Sequence, residues 1–155
     1  MESCVFIGTH SAVLDEKARM VLPAGFRKDN QPEVLNGDFY ITPHRDGFLV
    51  VRPACIWENY KNLILADGGI DGVRKRKFIR LLCNNSAKIK LDSQHRIVLS
   101  QGLRQKLEFA DDEPRQKIVV VGCGDFLEIW PEAVYRGEDD STLELSNFID
   151  SFDGR

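Results

Sequence analysis

No stretch of this chain approaches the roughly 18–20 consecutive apolar residues that carry a helix across a bilayer, so no membrane span is expected. Cysteine is sparse, and Cys4, Cys55, Cys83 and Cys123 lie far apart. There is no Cys-x-x-Cys pair and no Cys/His spacing typical of zinc. Reduced, packed thiols are therefore expected, and not a metal centre or a disulfide framework. The phosphate-binding Gly-x-x-x-x-Gly-Lys-Ser/Thr, the zinc-binding His-Glu-x-x-His and the nucleophile-bearing Gly-x-Ser-x-Gly are all missing. Gly122-Cys123-Gly124 is too short for a dinucleotide loop, and nothing near it in sequence lowers the pKa of Cys123. The chain is expected not to be an enzyme, with no catalytic residue, no cofactor and no small-molecule substrate. Its start, Met1-Glu2-Ser3-Cys4, lacks the basic and apolar regions of a secretion signal, which points to the cytoplasm.

An excess of positive charge is also missing: 21 Lys/Arg stand against 24 Asp/Glu. The distribution matters more than the sum. Residues 1–110 hold 17 Lys/Arg and 12 Asp/Glu, whereas residues 111–155 hold 4 and 12. A chain that is acidic overall can therefore still offer phosphate a basic face. Its 155 residues, 43% hydrophobic and 29% charged, fit an ordinary soluble globular protein of one domain or two small ones.

What the chain does have is an internal repeat. Segment 14–27, Leu-Asp-Glu-Lys-Ala-Arg-Met-Val-Leu-Pro-Ala-Gly-Phe-Arg, returns at 91–104 as Leu-Asp-Ser-Gln-His-Arg-Ile-Val-Leu-Ser-Gln-Gly-Leu-Arg. Seven of the fourteen positions are identical. One residue later in register, Phe48-Leu49 matches Phe126-Leu127 and Pro53 matches Pro131. A match this long and ordered indicates duplication.

Each copy reads as strand, turn, strand and short helix. Ser11–Leu14 and Ala87–Leu91 are β-prone, the second alternating apolar and basic residues. An Asp opens the turn, where its carboxylate can accept backbone N–H bonds, and an Arg closes it four residues later. Met20–Leu22 and Ile97–Leu99 return to the core as β-rich runs. Helices follow at 23–30 and 101–108. Pro23 suits a first helical turn, and Ser100 suits an N-cap. A hairpin completes each copy: Phe39–Thr42 with Phe48–Val51, and Lys117–Val121 with Phe126–Ile129. One copy alone is too small to bury a good core, so two interleaved copies closing one barrel are expected.

Between the copies, 53–66 reads as a helix with Ile56, Trp57, Tyr60, Leu63 and Ile64 on one face. A loop at 67–72 leads to a second helix, 73–83, carrying Arg74, Lys75, Arg76, Lys77 and Arg80, with Phe78, Ile79 and Leu82 turned inward. Pro131 opens another short helix. Residues 137–142 are acidic and polar. Leu145, Phe148, Ile149 and Phe152 suit one or two amphipathic turns that dock on this subunit or a neighbour.

Asp15/Arg19 and Asp92/Arg96 are the first candidate site. They read either as ion pairs holding a turn, worth little if exposed, or as loops presenting guanidinium to DNA, whose phosphates and guanine edges suit its fork. Two copies of one surface loop favour two matching contacts. Lys17, Gln94 and His95 lie within the same turns, and Arg27 and Arg104 repeat on the short helices. The basic run at 74–80 is either a solvated face, a phosphate track, or a partner for an acidic surface on a neighbouring subunit.

These residues resemble the MraZ family, bacterial regulators related to AbrB-type swapped-hairpin proteins. The resemblance spans roughly residues 5–135. It is carried by Phe6-Ile7-Gly8, Leu14-Asp15-x3-Arg19-x-Val21-Leu22-Pro23, Phe26-Arg27, Phe48-Leu49 with Pro53 and Trp57, Arg76-x-Phe78-x-Arg80, Asp92-x3-Arg96, and Val121-Gly122 through Glu128-Ile129-Trp130. It implies a mainly β protein with short helices: a double-split, swapped-hairpin β-barrel formed by two internal repeats, plus peripheral helices. The implied division is 5–57 (first repeat), 58–84 (helical connector), 85–136 (second repeat) and 137–155 (acidic tail). It implies a ring of subunits near the nucleoid, binding repeated promoter elements of double-stranded DNA ahead of the cell-division and cell-wall genes and usually repressing them. The implied contacts centre on Asp15–Arg19 and Asp92–Arg96. The family usually has Gly before each Arg, where this chain has Ala18 and His95, so strained or reshaped loops are expected. Ser100 stands where the family often has Pro. An oligomeric scaffold or protein-binding module is the competing expectation.

Overall fold

A computed structural model describes residues 4–137 and 142–153, with side chains in the last segment described for 145–152. The first copy supplies Thr9–Leu14 (β1), Arg19–Val21 (β2), Ala24–Asp29 (α1), Pro32–Leu35 (α2), Asp38–Pro43 (β3) and Leu49–Pro53 (β4). Two helices follow, Ala54–Ala66 (α3) and Gly72–Asn85 (α4). The second copy supplies Ala87–Lys90 (β5), Arg96–Val98 (β6), Gln101–Gln105 (α5), Gln116–Gly122 (β7) and Leu127–Pro131 (β8), followed by Glu132–Gly137 (α6) and Thr142–Asp153 (α7). The protein is thus mainly antiparallel β with several short helices.

The two copies exchange strands. A six-stranded sheet runs β1-β7-β8-β4-β3-β5, and β2 pairs with β6 in a separate two-stranded ribbon. The first strand of each copy therefore pairs with the hairpin of the other, β1 with β7 and β5 with β3. The hairpins meet through β4 and β8. Exchanging the copies reproduces the strand order, so the duplication in sequence becomes a near two-fold relation in space.

Strand alternation builds the core. Met20 and Ile97 pair across the ribbon and are both buried. They pack with Phe6, Leu14, Phe26, Phe39, Ile41 and Ile118 in the main cluster. Burying each such side chain contributes on the order of 1.5–3 kcal/mol. The far face of β4, β7 and β8 carries a smaller cluster in which Phe48 stacks on Trp130 at 4.0 Å between ring centroids. These strands are covered on both faces, which explains their nearly continuous apolar runs. Gly122 is needed by close approach, because a Cβ there would meet the carbonyl of Phe6.

Helix α1 is fixed by Asn30, which is buried just beyond it. Its Oδ1 accepts from Val5 N–H at 2.8 Å, and its Nδ2 donates to the carbonyls of Val5 and Phe26 at 2.8 and 2.7 Å. Pro23 lies just before α1. Ser100 caps α5 as the sequence suggests, its hydroxyl accepting from Leu103 N–H at 3.3 Å.

Some expectations shift. The short helix α2, only four residues long, carries no periodic signal in the sequence. On α3, Trp57 is buried, but Leu63 is 71% exposed. On α4, Leu82 is buried as expected, but Phe78, expected to turn inward, is exposed. The amphipathic C-terminal turns form a twelve-residue helix, whose Leu145, Phe148 and Ile149 are exposed. Of the acidic stretch 137–142, residues 138–141 lie outside the described residues.

Candidate nucleic-acid interface

The two turns are built alike, atom for atom. In the first, Ala18 N–H donates to the Asp15 carbonyl and Asp15 N–H to the Arg19 carbonyl. Asp15 Oδ1 accepts from the N–H of Lys17 and of Arg19, each at 2.9 Å. Oδ2 accepts from Arg19 Nε at 2.8 Å. In the second, Asp92 Oδ1 accepts from Gln94 and Arg96 N–H at 2.9 Å, and Oδ2 from Arg96 Nε at 2.7 Å. One carboxylate thus shapes the turn and aims the guanidinium. Arg19 and Arg96 are not loose, as a purely presenting loop would leave them. Each is gripped at Nε, and among the described residues no hydrogen bond or ion pair engages its Nη groups, which suits them to an outside acceptor.

Ala18 and His95 have φ of +58° and +59°. Both hold the left-handed position usual after such a turn, so the missing glycines strain the turns without reshaping them. The cost is about 1–2 kcal/mol per residue, less for His, which visits this region more readily than Ala. In both aspartates burial acts to raise the pKa, but the Arg backbone and side-chain hydrogen bonds, with that from Lys17 or Gln94, outweigh it. Both carboxyls are held below their ordinary value.

The ribbon brings the turns together. Leu22 N–H donates to the His95 carbonyl and Leu99 N–H to the Ala18 carbonyl, at 2.9 and 2.8 Å. Arg19 pairs opposite Val98 and Val21 opposite Arg96. Because Met20 and Ile97 point inward, Arg19, Val21, Arg96 and Val98 share the outward face. Val21 and Val98 are 49% and 45% exposed. Arg19 and Arg96 also line one open cleft of about 600 Å³, together with Asp15, Gln94, Arg27, His10 and Arg115.

The remaining candidates divide. Lys17 is exposed at the first turn. His95 contributes its backbone to the ribbon. Arg27 borders the cleft, and its Nε is buried without a partner among the described residues. Arg104 instead lies over the Phe109 ring at 4.4 Å, so the repeated helix arginines have different surroundings. Sequence reasoning did not assign His10 or Arg115 to the site. His10 sits edge-on to Phe26 at 4.9 Å. Arg115 reaches the cleft because Leu14 pairs with Gln116, which sets the preceding residue beside the first turn. It pairs with Glu16 at 3.3 Å. Neither carries a local signal: the β1–β7 register brings in Arg115, and packing against α1 brings in His10. Burial first, then Glu128 and Asp125, push the Cys123 thiol up to about 12, which disfavours the thiolate a nucleophile needs.

The fold and cleft define a class: a duplicated β protein with exchanged strands, whose paired Asp–Arg turns border one cleft. Relatives make the class specific. A family model described as "MraZ protein, putative antitoxin-like" matches residues 82–148. The chain is 32% identical over 154 residues to the transcriptional regulator MraZ of Thioalkalivibrio sulfidiphilus, covering 95% of this chain and 98% of that protein. It is 35% identical over 128 residues to that of Leuconostoc mesenteroides, covering 81% and 80%. Against that of Nocardia farcinica it is 33% identical over 133 residues, covering 84% of each. The chain belongs to the MraZ family.

Proposed function

We propose that this protein is a sequence-specific DNA-binding transcriptional regulator. In this reading it assembles as a ring on repeated promoter elements of the cell-division and cell-wall gene cluster, at the nucleoid, and represses transcription. The single observation that carries the DNA-binding part is that both aspartate-gripped arginines, Arg19 and Arg96, line one cleft at the edge of an outward-facing ribbon. A two-stranded ribbon fits the major groove, and Arg reads guanine O6/N7 or phosphate there. Asp15 and Asp92 position the arginines, Lys17, Gln94 and His95 complete the turns, and Arg27 extends the contact. Arg104 lies at the margin. The regulatory role and the promoter target rest on the relatives' name and on the family resemblance. A ring suits repeated sites, because weak contacts add through effective concentration.

A second reading, an oligomeric scaffold or protein-binding module, is favoured by the exposed apolar face of α7. A gel-shift with the chain's own upstream DNA separates the two. Tight, salt-sensitive binding that disappears in the Arg19→Ala/Arg96→Ala double variant supports the regulator. Binding unchanged in the double variant removes the assigned site.

A further inference from the structure

Two surfaces outside the cleft expose apolar side chains. The first is a groove of about 350 Å³ between α3, α4 and the β3–β4 hairpin, walled by Pro43, Val50, Tyr60, Phe78 and Leu81. Leu81 is 51% exposed. Arg52 lines the groove, its guanidinium 4.2 Å from the Tyr60 ring centroid. Beside the groove α4 carries Arg74, Lys75, Arg76, Lys77 and Arg80 and no acidic residue. Arg74 pairs with Asp71 and Lys75 with the Leu65 carbonyl. Arg76, Lys77 and Arg80 form no ion pair among the described residues.

The second surface is α7. Leu145, Phe148 and Ile149 fall on one helical face by their spacing and are 58%, 63% and 48% exposed. The sequence around them has the opposite charge: residues 138–155 hold six Asp/Glu and one Arg. A face of this size is rarely left in water without a purpose. Among the described residues, no α7 side chain lines the groove of its own chain. The helix is apolar on one face with acidic residues around it in sequence, and the groove is apolar with basic residues beside it.

We infer that α7 of one copy seats Leu145, Phe148 and Ile149 in the α3–α4 groove of a second copy, with its acidic flank facing Arg76, Lys77 and Arg80. This is a helix-in-groove contact. Because the two partners use different surfaces, the contact is head-to-tail and repeats around a closed ring or along an open chain. The inference rests on the self-association proposed above and goes further by naming the joint.

Two variants and their mixture test it. Phe148→Glu spoils the helix and keeps the groove; Leu81→Glu spoils the groove and keeps the helix. Both positions are exposed, so circular dichroism and melting should match the parent chain. Light scattering is expected to show an oligomer for the parent, smaller particles for each variant alone, and a one-to-one pair when the variants are mixed. A parent oligomer with both variants unchanged in mass overturns this joint and leaves the ring standing. Loss in Phe148→Glu alone indicates helix-to-helix pairing and also overturns it. A monomeric parent overturns the joint and the ring together. Reversing Arg76 and Arg80 to Glu should weaken association and leave binding to a single-site DNA duplex unaltered. Lower DNA affinity at unchanged mass would assign α4 to phosphate instead.

Discussion

The turns at 15–19 and 92–96 have the same hydrogen bonds, the same left-handed fourth residue and the same aspartate grip on arginine. Their neighbourhoods differ. Around the first are His10, Arg27 and Arg115, all bordering the cleft. The position matching His10 in the second copy is Ala87, and Arg104, the partner of Arg27, is turned onto Phe109. The duplication preserved the part whose geometry is local and let the part supplied by packing diverge. Identical turns can therefore make unequal contacts.

The largest expected effect comes from removing the arginines. Arg19→Ala should weaken binding to promoter DNA more than Arg96→Ala, each losing about 1–3 kcal/mol if it reads a base. The double variant should leave only salt-sensitive, non-specific binding. Equal losses in a titration of the two single variants would break the asymmetry.

Next come the aspartates. Asp15→Asn keeps an acceptor for the turn N–H groups but removes the charge that holds Nε, so affinity should fall about tenfold with the turn retained, as for a lost charged hydrogen bond. Asp92→Asn should do less. Both carboxyls are depressed in the folded protein. Their stabilisation is present above the unfolded carboxylate range, near pH 4. It is lost as pH falls through the lowered folded values. Acid titration followed by circular dichroism should show a shallower loss of stability in the Asp15→Asn/Asp92→Asn variant.

The helix arginines sharpen the comparison further. Arg27→Ala should weaken DNA binding severalfold, because its side chain borders the cleft. Arg104→Ala should leave binding nearly intact and cost about 0.5–1 kcal/mol of stability through the lost contact with Phe109. Matching losses of DNA affinity would show that both copies engage alike.

Smallest is the relief of strain. Ala18→Gly should raise stability by on the order of 0.5–1 kcal/mol, the left-handed cost less the added chain entropy. His95→Gly should gain less, since His tolerates that conformation better. Thermal melting that ranks them the other way would place the greater strain in the second turn.

Local order was legible wherever one short segment sets its own geometry. The Asp-x3-Arg turns, the strands flanking them, the Ser100 cap and the two hairpins all follow from turn chemistry and alternation within a few residues. Helix exposure was less legible. The periodicity of α3 marks Leu63 as apolar, but no packing partner covers it. Arg115 was not legible at all, since its place depends on a register between residues about a hundred positions apart.

The sequence by itself determined that this chain is duplicated and that each copy carries an aspartate-shaped turn ending in arginine. These are properties of spacing and local hydrogen bonding. Only the tertiary structure decided that β1 pairs with β7 and β5 with β3, and that β2 and β6 bring both arginines to one cleft. It also made the helix arginines unequal. The physical reason is that strand exchange is settled by which buried faces fit together across long separations, and no window of sequence contains both sides of that fit.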